Sequence, residues 1–126
     1  MANIATRAVT GSGDNVLIGG FIVGGQGKKK IIVRGLGPSI GFDGKRLAGT
    51  VDDPVIELHK ADGSLVTAND NWKETQQAEI QASGLAPKDD REAAIIGNYA
   101  PGNYTAILRG KAETTGIGLV EVYKLK

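Results

Sequence analysis

A chain of 126 residues fits one domain and is long enough to bury a core without covalent staples. Fifteen basic and fourteen acidic residues leave a net charge of +1, so no global field draws the chain to nucleic acid or to an anionic membrane. Cysteine is absent, which removes disulfides and thiolate metal sites from consideration.

The longest apolar run, residues 16–23, is broken by Gly19-Gly20 and is far short of the roughly 20 residues that span a bilayer. The N-terminal MANIATRAV has neither a charged n-region nor an apolar h-region, so it does not read as a signal peptide. The expectation is a cytoplasmic protein or a form whose export signal has been removed. Nineteen glycines, scattered without a fixed period, point to many turns and close strand packing.

In chain order, residues 3–9 alternate weakly and are expected to form a first strand, followed by a turn at GSGDN (11–15). Residues 16–23 (VLIGGFIV) are continuously apolar, which predicts a strand covered on both faces, with a bulge or a close backbone approach at the two glycines. GGQGKKK (24–30) closes a hairpin and 31–36 return. GLGPSIG (35–41) interrupts the pattern, and 41–53 read as a surface excursion. Residues 56–59 alternate as a strand with one wet face, ADGS (61–64) turns, and 65–68 pair back. After Trp72, good helix formers predict a helix over 74–83, with Gly84 just beyond its C-cap. Residues 93–96, 104–109 and 117–123 complete the strands. The sum is an all-β, antiparallel, jelly-roll-like β-sandwich of about eight or nine short strands with one short helix, a single domain over residues 1–126.

The stretches NIATRAV, NVLIGGFIV, KKIIVRGLGPSI, DPVIELHKADGSLVTANDNW, AEIQASGLAP, EAAIIGNYAPGNYTAILRG and TTGIGLVEVYKL resemble, in that order, a β-sandwich repeat module of large secreted and surface-anchored bacterial proteins. From Pro54 onward, the VIELHKADGSLVTANDNW hairpin and the PGNYTAILRG strand also resemble bacterial pre-peptidase C-terminal domains. That resemblance implies a β-sandwich appended to secreted enzymes, some members of which bind calcium. It implies an extracellular or cell-surface setting and no catalytic residues.

The residues agree on catalysis. His59 is the one histidine and sits at an outward strand position, as a solvated side chain would. There is no GxSxG elbow and no HExxH. Asp52-Asp53 and Asp89-Asp90 are adjacent pairs, and neighbours in extended chain point opposite ways. GGQGKKK lacks the Walker A serine or threonine, and Pro38 removes an N–H that a phosphate on GLGPSIG would need. Lys28, Lys29 and Lys30 read as a solvated loop guarding an apolar strand, with no aromatic ladder for a single strand of nucleic acid. Trp72 reads as a core anchor rather than a sugar platform, since no row of aromatics accompanies it.

Calcium is the one cofactor the sequence raises. Asp52 and Asp53 precede one strand of a hairpin, and Asn69, Asp70 and Asn71 follow its partner. Both clusters fall at one end of the hairpin, where their oxygens can converge on a hard cation. Asx-turns and helix capping are the competing role. The functional expectation is a non-catalytic structural or assembly module, pairing with copies of itself or with neighbouring domains through its terminal strands. The alternative is an accessory module for calcium-assisted attachment to polysaccharide or cell wall. Neither nucleic acid nor membrane insertion is expected.

Overall fold

The structure, a computed structural model, describes residues 3–10 and 16–125. Its elements are β1 (Asn3–Thr10), β2 (Leu17–Val23), β3 (Lys29–Leu36), β4 (Gly41–Phe42), β5 (Lys45–Arg46), β6 (Pro54–Lys60), β7 (Leu65–Asn69), α1 (Gln77–Ala82), β8 (Ala93–Tyr99), β9 (Gly102–Gly110) and β10 (Gly116–Lys124). Two antiparallel four-stranded sheets carry the fold, in the orders β1-β10-β3-β8 and β2-β9-β6-β7. β4 and β5 form a separate small hairpin. Asp43 and Gly44 at its tip both have positive φ, as a tight two-residue hairpin loop requires. In the sequence that segment reads only as a surface excursion.

Burial divides the apolar residues into two layers. Between the sheets lie Leu17, Phe21, Val33, Ile56, Leu58, Ile95, Leu108, Val120 and their neighbours. A second layer, on the far side of the first sheet, joins Ile32, Ala94 and Ile96 to Trp72 and Ile80. So β3 and β8 are the strands covered on both faces, and this explains their unbroken IIV and AAII runs. β2 corrects the expectation for residues 16–23. Its burial strictly alternates, Ile18 and Ile22 stand 58% and 75% exposed, and its pairing with β9 is regular with no bulge at Gly19-Gly20. Continuous hydrophobicity misled there because β2 is an edge strand whose outer face nothing covers among the described residues.

The helix is shorter than 74–83. It begins at Gln77, because Gln76 has φ −128° and ψ 35°, outside the helical region, and spends its side chain on β8. Gln76 Nε2 donates to the Ile96 carbonyl (2.7 Å), and Ile96 N–H donates to Gln76 Oε1 (3.1 Å). Ala94 N–H donates to Asn69 Oδ1 (3.0 Å), and Trp72 N–H donates to the Glu92 carbonyl (2.9 Å). Residues 69–76 therefore run along the free edge of β8 and satisfy it in place of a strand. Gly84, at φ 78°, ends the helix in the left-handed conformation, as its position predicts.

Glu92, wholly buried at the entrance to β8, is the main polar anchor. Its Oε2 accepts from the N–H of Gly37 (2.8 Å), the N–H of Ser39 (2.9 Å) and the hydroxyl of Ser39 (2.8 Å). Its Oε1 accepts from Asp89 N–H (3.3 Å). The GLGPSIG loop thus cradles an anion after all, and the anion is the chain's own carboxylate. Gly37 is required there, since a Cβ would stand 2.1 Å from the Val51 carbonyl oxygen. Replacing Glu92 with Gln puts an amide N–H₂ among donors and weakens charge-assisted bonds, each of the order of 1.5–3 kcal/mol. Glu92→Gln is expected to lower stability by about 3 kcal/mol in urea unfolding, with an unchanged β-rich circular dichroism spectrum. A loss under about 0.5 kcal/mol would show that the loop is held by other contacts.

Candidate functional site

Three strand ends meet at one corner of the second sheet. β6 and β7 pair antiparallel with Ile56 opposite Asn69, so Asp53, just before β6, and Asp70, just after β7, fall side by side. β9 pairs with the other flank of β6, Pro54 opposite Gly110, and delivers Lys111 to the same place. Lys111 donates its backbone N–H to the Asp53 carbonyl (2.8 Å), and its ammonium lies 2.5 Å from Asp70 Oδ2.

The two carboxyl groups are close enough to share a proton, and Oδ1 of each is buried with no hydrogen-bond partner. Burial, then the hydrogen bond to Asp70, then its negative charge push the Asp53 carboxyl up to about 6, against the pull of Lys111 and Arg91. The Asp70 contact in turn raises the Lys111 ammonium.

Of the five residues named from sequence, the structure brings these two together and sends three elsewhere. Asp52 points outward, its Oδ1 2.6 Å from the Arg46 guanidinium, which holds its carboxyl below the usual range. Asn69 is buried, donating to the Asn71 carbonyl and the Thr75 hydroxyl (both 3.1 Å) while its oxygen serves β8. Asn71 donates its side-chain N–H to Glu74 Oε1 (2.7 Å). Among the described residues no group of three or more histidine, cysteine or acidic side chains gathers as metal ligands do. Lys111, which completes the corner, carried no sequence signal: it is distant in the chain, and only the pairing of β9 with β6 places it.

Other groups raised by the sequence are engaged structurally. His59 is half-buried rather than freely solvated. Its Nε2 is 3.0 Å from Glu57 Oε1 and its Nδ1 3.1 Å from the Gly63 carbonyl, and these contacts raise its pKa. Trp72 is 4% exposed and donates its indole N–H to the Asp89 carbonyl (3.2 Å), which agrees with a core anchor. Lys29 donates to the Gln26 carbonyl (2.8 Å), and Lys30 stands 3.9 Å from Glu79. A surface groove of about 400 Å³ beside the β4–β5 hairpin is lined by Ser39, Arg46, Lys88 and Asp89, among others. Its one hydroxyl, on Ser39, donates to Glu92 Oε2, a carboxylate oxygen that the N–H groups of Gly37 and Ser39 already occupy.

No protein-family model matches the chain, and neither does any curated protein. Solved structures do share its fold. One is the pre-peptidase C-terminal domain of a collagenase from Bacillus anthracis, with a TM-score of 0.58 and 13% identity, over 96% of this chain and 89% of that one. The chain is similar in fold to pre-peptidase C-terminal domains. The similarity reaches beyond the half from Pro54 onward, where the sequence resemblance lies, and takes in nearly the whole sandwich.

The raised Asp53 and His59 set the sign of the pH dependence. Each binds its proton more tightly folded than unfolded, so each contributes stability at low pH that is lost as pH rises. Asp53 acts between about 4 and about 6, and His59 on the alkaline side of its ordinary 6.5. Asp53→Asn is expected to abolish the fall between pH 4 and 6 in chemical unfolding, and to stabilise the chain above pH 6 by about 1 kcal/mol, since water screens part of the pair. A variant that keeps the wild-type pH profile would remove the acid pair as its source.

Proposed function

We propose that this chain is a non-catalytic structural module of an extracellular or cell-surface protein, and that it works by packing against copies of itself or neighbouring domains. One observation carries the reading. Several of the best-buried polar groups among the described residues are spent on the chain itself: Glu92 on the 37–39 loop, Asn69 and Gln76 on the edge of β8, Arg34 on the Glu121 carboxylate and the Leu85 carbonyl. Such groups stiffen a sandwich, and the one carboxylate beside the Ser39 hydroxyl is spent on the backbone of its own loop. The likeness to a pre-peptidase C-terminal domain supports the same reading, because the family is known for no catalytic residues.

Assembly through terminal strands meets one geometric condition. β10 is flanked by β1 and β3, so its backbone is already paired on both sides, whereas β1 is an edge. Of the two, β1 is the strand with a flank to offer.

A second reading, calcium-assisted attachment to polysaccharide or cell wall, is favoured by the unpartnered Oδ1 atoms of Asp53 and Asp70. Two buried carboxylate oxygens without hydrogen-bond partners at one corner suit a hard cation, and Asp52 and nearby carbonyls would have to swing in to complete the six to eight ligands that calcium takes. The Lys111 ammonium is the competitor for that position.

Both readings are open to direct measurement. Under the first, sedimentation shows self-association that grows with concentration, and a chain that stays monomeric and forms no fibres by electron microscopy removes it. Under the second, millimolar calcium raises the melting temperature relative to chelator, and more so in Lys111→Met. Identical melting curves with calcium and chelator in both proteins exclude it.

A further inference from the structure

We propose that β2 is a self-association seam: two copies of this chain pair β2 against β2, antiparallel, about a two-fold axis through Gly20. The inference rests on the reading that this chain assembles, and it places the contact on β2 instead of the terminal strand β1.

An edge strand offers a row of N–H and C=O groups to any other strand, and folded proteins blunt such edges with charges, prolines, bulges or a covering segment. β8 is covered by residues 69–76. β7 is five residues long and paired through a bulge at Leu58/His59. Among the described residues β2 has none of these devices. Leu17–Val23 contains no charged residue and no proline, and its pairing with β9 is regular along its whole length. Its outer face presents Ile18 and Ile22, two of the most exposed large apolar side chains among the described residues.

The sequence of the strand selects the occupant. LIGGFIV is nearly symmetric about Gly20. With the axis there, Ile18 stands opposite Ile22 of the second copy, Leu17 opposite Val23, and Gly19 opposite Phe21. Inward residues stay inward, so the core layer of one sheet continues into the next. The two outward Ile–Ile pairs are apolar cross-strand contacts, the unit of sheet stabilisation. Phe21, whose ring already stacks on Tyr104 at 5.4 Å, meets a residue with no side chain. Sliding the register by two puts Ile22 opposite Gly20 and Ile18 opposite Gly24, and loses both Ile–Ile contacts. An unrelated strand has no reason to prefer this register; a second copy has. The seam is small beside a standard interface, so the dimer forms reversibly and with concentration.

The chain has no native cysteine, so single cysteines report the register cleanly. A Cβ at Gly20 meets nothing nearer than the Tyr104 carbonyl oxygen at 3.9 Å, so Gly20→Cys fits the fold. Gly20→Cys is expected to oxidise to a covalent dimer at least about tenfold faster than Ser64→Cys, an exposed turn position. Ile18→Cys and Ile22→Cys should cross-link when mixed and not when alone. Ile18→Lys/Ile22→Lys should sediment as a monomer where the wild type dimerises, with an unchanged melting temperature. If the wild type self-associates but Gly20→Cys links no faster than the control, or the double lysine variant associates equally well, the β2 seam is wrong while assembly by another surface stands. If the wild type remains a monomer at the highest concentration reached, both fall.

Discussion

Strand β8 has one flank with no strand against it, and a buried sheet cannot leave that flank bare. Most of the distinctive geometry follows from how the chain meets this constraint. Unpaired buried backbone groups cost about as much as broken hydrogen bonds, so the segment after β7 is drawn along the edge of β8. Asn69 and Gln76 act as amide stand-ins for a neighbouring strand. Their engagement delays the helix until Gln77, seats Trp72 over the outer face of the first sheet, and completes the second apolar layer. It also sets the corner. With Asn69 anchored inward, Asp70 emerges at the end of β7 beside Asp53.

The same face shows how a small domain uses a buried charge without a buried counter-charge. Glu92 is met by backbone and hydroxyl donors from a loop that is otherwise irregular. A carboxylate receiving several N–H and O–H bonds needs no cation beside it. The loop and the strand entrance fix each other, and the β4–β5 hairpin and the crossing into β6 inherit their position from that contact. Elsewhere the sheets are tied by direct cross-strand pairing: Arg34, opposite Glu121, bonds its carboxylate through Nε at 2.9 Å and covers the Tyr123 ring.

Strand positions were legible in the sequence because alternation and turn chemistry are local. VIEL, the Asp62-Gly63 turn and YTAIL alternate in the sequence as they do in the sheet. Which face of a strand is covered was not local. β2 looked buried on both sides because its outward residues are isoleucines, while β3 and β8 owe their full burial to a helix and a tryptophan from distant sequence. The candidate site divides the same way. Hairpin geometry correctly brought Asp53 to Asp70, yet it could not say that Asp52 turns to Arg46 or that Asn69 serves β8. Lys111 and Glu92 needed the sheet order itself. An acid immediately before an apolar strand run was the one hint of Glu92 that the sequence held.

The order of the first sheet has a kinetic consequence. Asn3 pairs with Tyr123, and β10 lies between β1 and β3. Completion of this sheet therefore waits on a contact between two strands far apart in sequence, and such distant pairings slow the search for the native state. During synthesis β1 and β3 leave the ribosome with the slot between them vacant. The interval before β10 arrives is the period in which a stray strand can take its place.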